Sequence, residues 1–189
     1  MMLIVDCGSV KTPFIEEAVD LSMDYETVGL SDLTIAHFEG KKGIVLSGSP
    51  ILLTEVDCSM YIDKYAFLKE LDIPLLGICF GHQLIGLLYG AFPARQKEDR
   101  DWQVIEILEE TALFNRLPTE FEMMEDHCES ISLPKQFKLA ATSDACVNEA
   151  MFHESKLIFG VQFHPEVSGN LGTVLIDNFC QICLSVKSI

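Results

Sequence analysis

Three short runs in the first half of the chain are almost wholly apolar: LIVD at 3–6, GIVL at 43–46 and IPLLGIC at 73–79. Runs of this length, bounded by turn residues, read as strands buried on both faces. Each is followed by helical spacing. Thr12-Pro13 reads as an N-cap with proline at the first helical position, and Phe14, Ala18 and Leu21, with Ile15 and Val19, give that helix an apolar face. Residues 59–71 place Tyr61, Tyr65 and Leu68 on one side, and HQLIGLLYG at 82–90 is a helix stopped by Gly90. Strand, helix, strand, helix, strand, helix in this order predicts a parallel sheet with helices on both faces.

The character changes after about residue 100. VIEIL (104–108), FEMM (121–124), KLAAT (138–142), NEAMFH (148–153) and LIFGVQF (157–163) follow closely, several separated by short turns, as in antiparallel hairpins. A last helix is expected from about Gly172 to Ser185, with Leu175, Phe179 and Ile182 on one face. No repeat, linker or composition break marks a second domain, so residues 1–189 are expected to form one. The predicted architecture is a flavodoxin-like, three-layer α/β/α fold with a mostly parallel central sheet and a small antiparallel addition in the C-terminal half.

Hydrophobic residues make up 49% of the chain, enough to exclude disorder. The longest apolar run, LIGLLYGAF at 84–92, falls short of the ~18 residues that cross a bilayer. MMLIVDCGS lacks the basic lead and cleavage site of a signal peptide, so a cytoplasmic location is expected. A net charge of −16 argues against a nucleic-acid or acidic membrane surface. Seven cysteines at irregular spacing fit a reducing compartment. The one C-x-x-C, Cys180 to Cys183, sits at helical spacing among apolar residues and reads as packing rather than zinc ligation.

The sequence GICFGHQ, 77–83, joins the third strand to its helix through G-x-C-x-G. That is the geometry of a nucleophile elbow: a sharp turn holds the central side chain at the carboxyl end of the sheet, and small neighbours are needed where backbones come close. The helix N-terminus favours thiolate at Cys79, and the backbone N–H of Phe80 is placed to meet an oxyanion. A thiol nucleophile needs a base. His164 in GVQFHPEVS follows a strand, and Glu166 lies two residues on, where an extended backbone would project both side chains to one side. Cys79, His164 and Glu166 thus read as nucleophile, base and orienting carboxylate. The turn SGSP after GIVL offers a second oxyanion donor, from Ser49 or Gly48.

GICFGHQ, SGSP and GVQFHPE together resemble the class I glutamine amidotransferases, and the resemblance runs in order through LIVDCGS, LSGSP, GICFGHQ, DHCES, SDACVNEAM and GVQFHPEV. The segment SDACVNEAMFH before GVQFHPEV is most similar to the free-standing glutaminase subunits of GMP synthetases. The resemblance implies that Cys79 attacks the side-chain amide of L-glutamine, that His164 and Glu166 complete a triad, and that the amides of Ser49 and Phe80 form the oxyanion hole. It implies substrate contacts from Gly48, Gln83, Asp126, His127 and Cys128. It implies no metal or organic cofactor in this chain, with ATP and magnesium used by a separate ATP-pyrophosphatase synthetase that takes the ammonia to convert XMP to GMP. Related family functions are glutaminases for anthranilate or aminodeoxychorismate synthesis, γ-glutamyl peptide hydrolases, and non-catalytic glutamine-binding regulators.

The chain departs from the family pattern in three places. Gly48-Ser49-Pro50 stands for Gly-Gly-Pro, where a positive φ would cost serine more than glycine. Asp126-His127-Cys128-Glu129 stands where Ser-His begins the family segment, and Asp126 would repel a substrate carboxylate unless it pairs with the α-amino group. Cys7-Gly8-Ser9-Val10 replaces the usual Asn-Gly-Gly-Gln.

Overall fold

The apolar runs do form the centre of the sheet. A computed structural model describes residues 1–186. In chain order its elements are β1 (Met2–Asp6), α1 (Thr12–Asp20), β2 (Tyr25–Gly29), β3 (Gly43–Leu46), α2 (Cys58–Tyr65), β4 (Leu75–Ile78), α3 (Phe80–Leu88), β5 (Pro93–Asp99), β6 (Trp102–Ile107), β7 (Glu120–Met124), β8 (His127–Ile131), β9 (Phe137–Thr142), β10 (Ala150–His153), β11 (Ile158–Val161) and α4 (Gly169–Ser185). The main sheet runs β2-β1-β3-β4-β11-β10-β9-β6-β7. The first five positions are parallel to one another, and β10, β9, β6 and β7 continue the same sheet antiparallel. A separate ribbon pairs β5 with β8.

Successive strand residues serve opposite layers, as the pleat requires. Ile4, Val45, Leu76 and Ile78 pack with Ile15, Val19, Leu175 and Phe179 on the α1/α4 face. Leu3, Val5, Ile44, Leu46 and Leu75 pack with Tyr65, Phe80, Leu84 and Leu88 on the α2/α3 face. Each fully buried aliphatic side chain of this kind contributes about 1.5–3 kcal/mol, so the two layers fix the sheet and, with it, the strand ends.

The expected flavodoxin-like fold is present: the antiparallel addition comprises the β5–β8 ribbon and the strands β10, β9, β6 and β7 that extend the parallel part of the main sheet. Three expectations need correction. The first half contains a further strand, β2, which the apolar pattern does not announce because YETVG is half exposed. Lys11, not Thr12, occupies the cap position of α1; Thr12 is already helical, and its hydroxyl donates to Asp6, 2.8 Å away. Ile15 and Val19 are the buried face of α1, while Phe14 and Leu21 are exposed. The C-x-x-C reading agrees with the structure: Cys180 and Cys183 are fully buried and unbridged, and burial pushes both thiols up. A Cβ on Gly43 would lie 2.2 Å from the Cys183 sulfur, so that cysteine packs directly on β3.

Candidate active site

The elbow follows from two close approaches. A Cβ on Gly77 would fall 2.4 Å from the carbonyl of Gly81, and a Cβ on Gly81 would fall 2.3 Å from the Leu46 carbonyl oxygen. Neither glycine has positive φ; they are required for space, where α3 doubles back against β4 and β3. The strain sits on the residue between them. Cys79 has φ 51° and ψ −105°, one of two non-glycine residues with positive φ among those described. Its N–H is held by the Val161 carbonyl at 2.8 Å, and it caps α3, so the positive end of that helix lies at the sulfur.

Strand β11 lies parallel beside β4, with Ile78 opposite Val161. The chain leaves both strands at the same edge of the sheet, and this register brings His164 to the thiol. The His164 backbone N–H donates to Met124 O at 2.9 Å, and its carbonyl accepts from the Ser168 hydroxyl at 2.6 Å. Nδ1 pairs with Glu166 Oε1 at 2.7 Å, both side chains being nearly fully buried. The contact expected from an extended backbone is made by a different route: Pro165–Val167 is a 3₁₀ turn. Nε2 is turned to the Cys79 sulfur without closing a regular hydrogen bond. Burial disfavours the imidazolium, but the negative charge and hydrogen bonding of Cys79, with Glu166 behind, outweigh it and push His164 up to about 10. The arrangement favours an imidazolium beside the nucleophile.

The SGSP turn lies against this pair. A Cβ on Gly48 would sit 3.1 Å from His164 Cε1 and 3.7 Å from Cys79 Cβ. Ser49 does not adopt positive φ, so serine is unstrained where the family has glycine. Its N–H and that of Phe80 donate to no backbone carbonyl among the described residues.

Cys79, His164, Ser49, Gln83, Asp126, His127 and Cys128 all border one cleft of about 460 Å³, with Gly48, Phe80 and Glu166 behind its wall. Gln83 is buried and committed to the protein, donating to Glu129 O at 3.2 Å and to Gln162 Oε1 at 3.0 Å. Asp126 is ion-paired with Lys11 and lies 3.5 Å from Arg100, and its carboxyl is held below the usual range because these cations outweigh burial. Its carbonyl oxygen is 4.0 Å from the Cys79 sulfur. Cys128 accepts from Arg95 at 3.1 Å.

Sequence reasoning missed four contributors. Gln162 is buried and donates to the Cys79 sulfur at 3.6 Å. Lys11 and Arg100 bring the cleft its cationic side chains. Glu129 clamps the loop after SGSP, accepting from the N–H groups of Leu53 at 2.7 Å and Thr54 at 3.1 Å. Behind the cleft, burial pushes Glu125 up to about 8 and Glu149 up to about 9.

A family model described as class-I glutamine amidotransferase matches residues 3–183. The chain belongs to this family. As a glutamine amidotransferase it is an enzyme acting on the glutamine side-chain amide, and its relatives agree with the geometry. It is 41% identical over 145 residues to the glutamine-hydrolyzing GMP synthase subunit of Pyrococcus furiosus, covering 75% of this chain and 76% of that one. It is 39% identical over 144 residues to the protein of the same name from Archaeoglobus fulgidus, covering 75% of each. A crystal structure of a Thermoplasma acidophilum protein, described as one of the GMP synthase subunits, superposes with a TM-score of 0.88 at 30% identity, over 97% of this chain and 94% of that one. A Thermotoga maritima glutamine amidotransferase shares the fold, with a TM-score of 0.71 at 19% identity, over 96% of this chain and 83% of that one. No helix among the described residues is long and apolar enough to cross a membrane.

Proposed function

We propose that the chain, as a single amidotransferase domain, is the glutaminase subunit of a two-chain GMP synthetase, working in the cytoplasm. The observation that carries the reading is the His164 imidazole, held by Glu166 at 2.7 Å and turned to a thiol on a left-handed elbow. The Cys79 thiolate attacks the side-chain amide carbon of L-glutamine. Negative charge gathers on the former carbonyl oxygen, met by the amides of Ser49 and Phe80. The His164 imidazolium gives its proton to the leaving nitrogen, and ammonia departs, leaving a γ-glutamyl thioester. His164 then takes a proton from water, hydroxide adds to the thioester, and glutamate leaves as the thiolate re-forms.

The cleft supports a zwitterionic ligand. Arg100 and Lys11 suit an α-carboxylate, and Asp126, whose charge they already answer, suits the α-ammonium. Gln83 and His127 shape the wall around the side chain, with Gly48 behind it, and Cys128 borders the cleft. The chemistry assigned to this chain uses no cofactor of its own; ATP and magnesium belong to the ATP-pyrophosphatase subunit that receives the ammonia and aminates XMP. The names borne by the relatives at about 40% identity support this partner. Neither a nucleic acid nor a membrane is expected as a partner.

The test is ammonia release from glutamine by the purified chain, alone and with the ATP-pyrophosphatase subunit, XMP, ATP and magnesium. Slow release alone, a marked rise in the full mixture and formation of GMP are expected. Release without any rise or GMP would overturn the acceptor, and no release under either condition would overturn the glutaminase.

A further inference from the structure

A second cluster of ionisable side chains adjoins the cleft, which His127 borders, and takes no part in the thioester chemistry. Glu125 sits between β7 and β8, His127 opens β8, and Glu149 precedes β10. They are 1%, 7% and 0% exposed. One donor atom from each lies within 4.8 Å of the other two.

The imidazole decides what the cluster can hold. Nδ1 of His127 is 2.9 Å from the Glu129 carbonyl oxygen, which can only accept, so Nδ1 carries the hydrogen and Nε2 the lone pair. The Gln96 amide, also 2.9 Å from Nδ1, joins as a second acceptor once its interchangeable ends are set with oxygen towards the ring. Nε2 then faces Glu125 Oε2 at 3.1 Å, a contact that only a proton or a cation between the two atoms makes favourable. Both oxygens of Glu125 and Oε2 of Glu149 find no donor elsewhere in the protein; the two carboxyls meet each other, and without a cation between them one must keep its proton to bridge the pair. The other Glu149 oxygen is fixed by the Ser143 hydroxyl at 2.6 Å. Among the described residues neither glutamate has a lysine or arginine partner.

We propose that Glu125, His127 and Glu149 form a structural binding site for a divalent transition-metal ion of the zinc class. Two carboxylates and a neutral imidazole match the charge and ligand preference of such an ion. A histidine that gives its other N–H to a backbone carbonyl is already in the tautomer and orientation of a ligand. One cation engages all the converging lone pairs and takes the place of the protons that the buried carboxyls otherwise keep. The ion's effect is positional. Ligands 125 and 127 bracket Asp126, whose carbonyl meets the Cys79 sulfur, and follow Met124, whose carbonyl holds the His164 backbone. Loading the site would stiffen the strand turn against which both catalytic residues rest.

Cobalt(II) is the probe, and chelator-stripped Cys79→Ala protein is the host, since it lacks the cleft thiol. Equilibrium dialysis should give one tightly bound cobalt. Its spectrum should show ligand-field bands without a thiolate-to-cobalt charge-transfer band, and thermal unfolding should move to higher temperature. Glu125→Gln and Glu149→Gln, near-isosteric with a protonated glutamate, should each weaken cobalt binding about 100-fold, and Ser143→Ala about 10-fold. No stoichiometric cobalt, a thiolate band, or affinity unchanged in folded glutamine variants would each overturn the proposal. If the glutamine variants do not fold, stoichiometry and spectrum in the Cys79→Ala host, with Ser143→Ala, decide it by the same criteria.

Discussion

The edge that carries Cys79 and His164 and the wall that carries Asp126 and His127 meet in one cleft, but they are built on different principles. The catalytic edge is made by two parallel strands, β4 and β11, buried on both faces in fixed register. Its residues are placed by backbone, by close glycine contacts and by one strained turn. The wall is the β5–β8 ribbon, whose pairing slips between Arg95 and Asp99. It is held by polar contacts: Lys11 and Arg100 on Asp126, and Glu129 on the loop after SGSP. Chemistry that tolerates little displacement sits on the packed sheet, and recognition sits on a ribbon held mainly by charge and hydrogen bonds.

Substitutions on the two sides should therefore differ in kind. His164→Ala should lower the glutaminase rate by about 10²–10⁴, as the loss of a general acid–base group does, with glutamine still bound; steady-state ammonia release checks it. Glu166→Gln should fall near the lower end, about 10². It should also show the origin of the raised His164 pKa. The His164 imidazolium is present below about pH 10 and lost as pH rises through that value. Because Glu166 helps to raise the imidazole, its neutralisation should move the His164 ring titration, followed by NMR, to lower pH; an unmoved titration would assign the shift to Cys79 alone. Gly81→Ala drives a methyl group into the Leu46 carbonyl and should cost about 1–3 kcal/mol of stability, read by denaturant unfolding. Arg100→Gln, on the wall, should have the smallest effect. Arg100 is 70% exposed, so a rise in KM of about 2- to 5-fold with kcat unchanged is expected from steady-state kinetics.

The same contrast explains what could be read from the amino acids. The elbow was legible because its steric demands are local: small residues two before and two after the cysteine, at the end of an apolar run. His164 with Glu166 was legible as a pair, although a 3₁₀ turn rather than an extended strand joins them. The wall was not. In β5, PARQKED has no apolar alternation to betray a strand. In β8 the alternation exists, but the buried positions of HCESI include His127 and Glu129, polar residues whose burial only tertiary partners can justify. Lys11 and Arg100 are isolated cations brought to one carboxylate from separate parts of the chain. Gln162, at the end of an apolar strand, gives no sign that its amide meets the nucleophile.

Strands β4 and β11 are immediate neighbours, yet the polypeptide departs after Ile78 and returns only at Ile158. All that lies between, from α3 through β10, is topologically a single detour. Revision of its outer portion, through changed lengths, charges or pairings, can give the enzyme new ligands or a new companion while the sulfur and imidazole keep their separation.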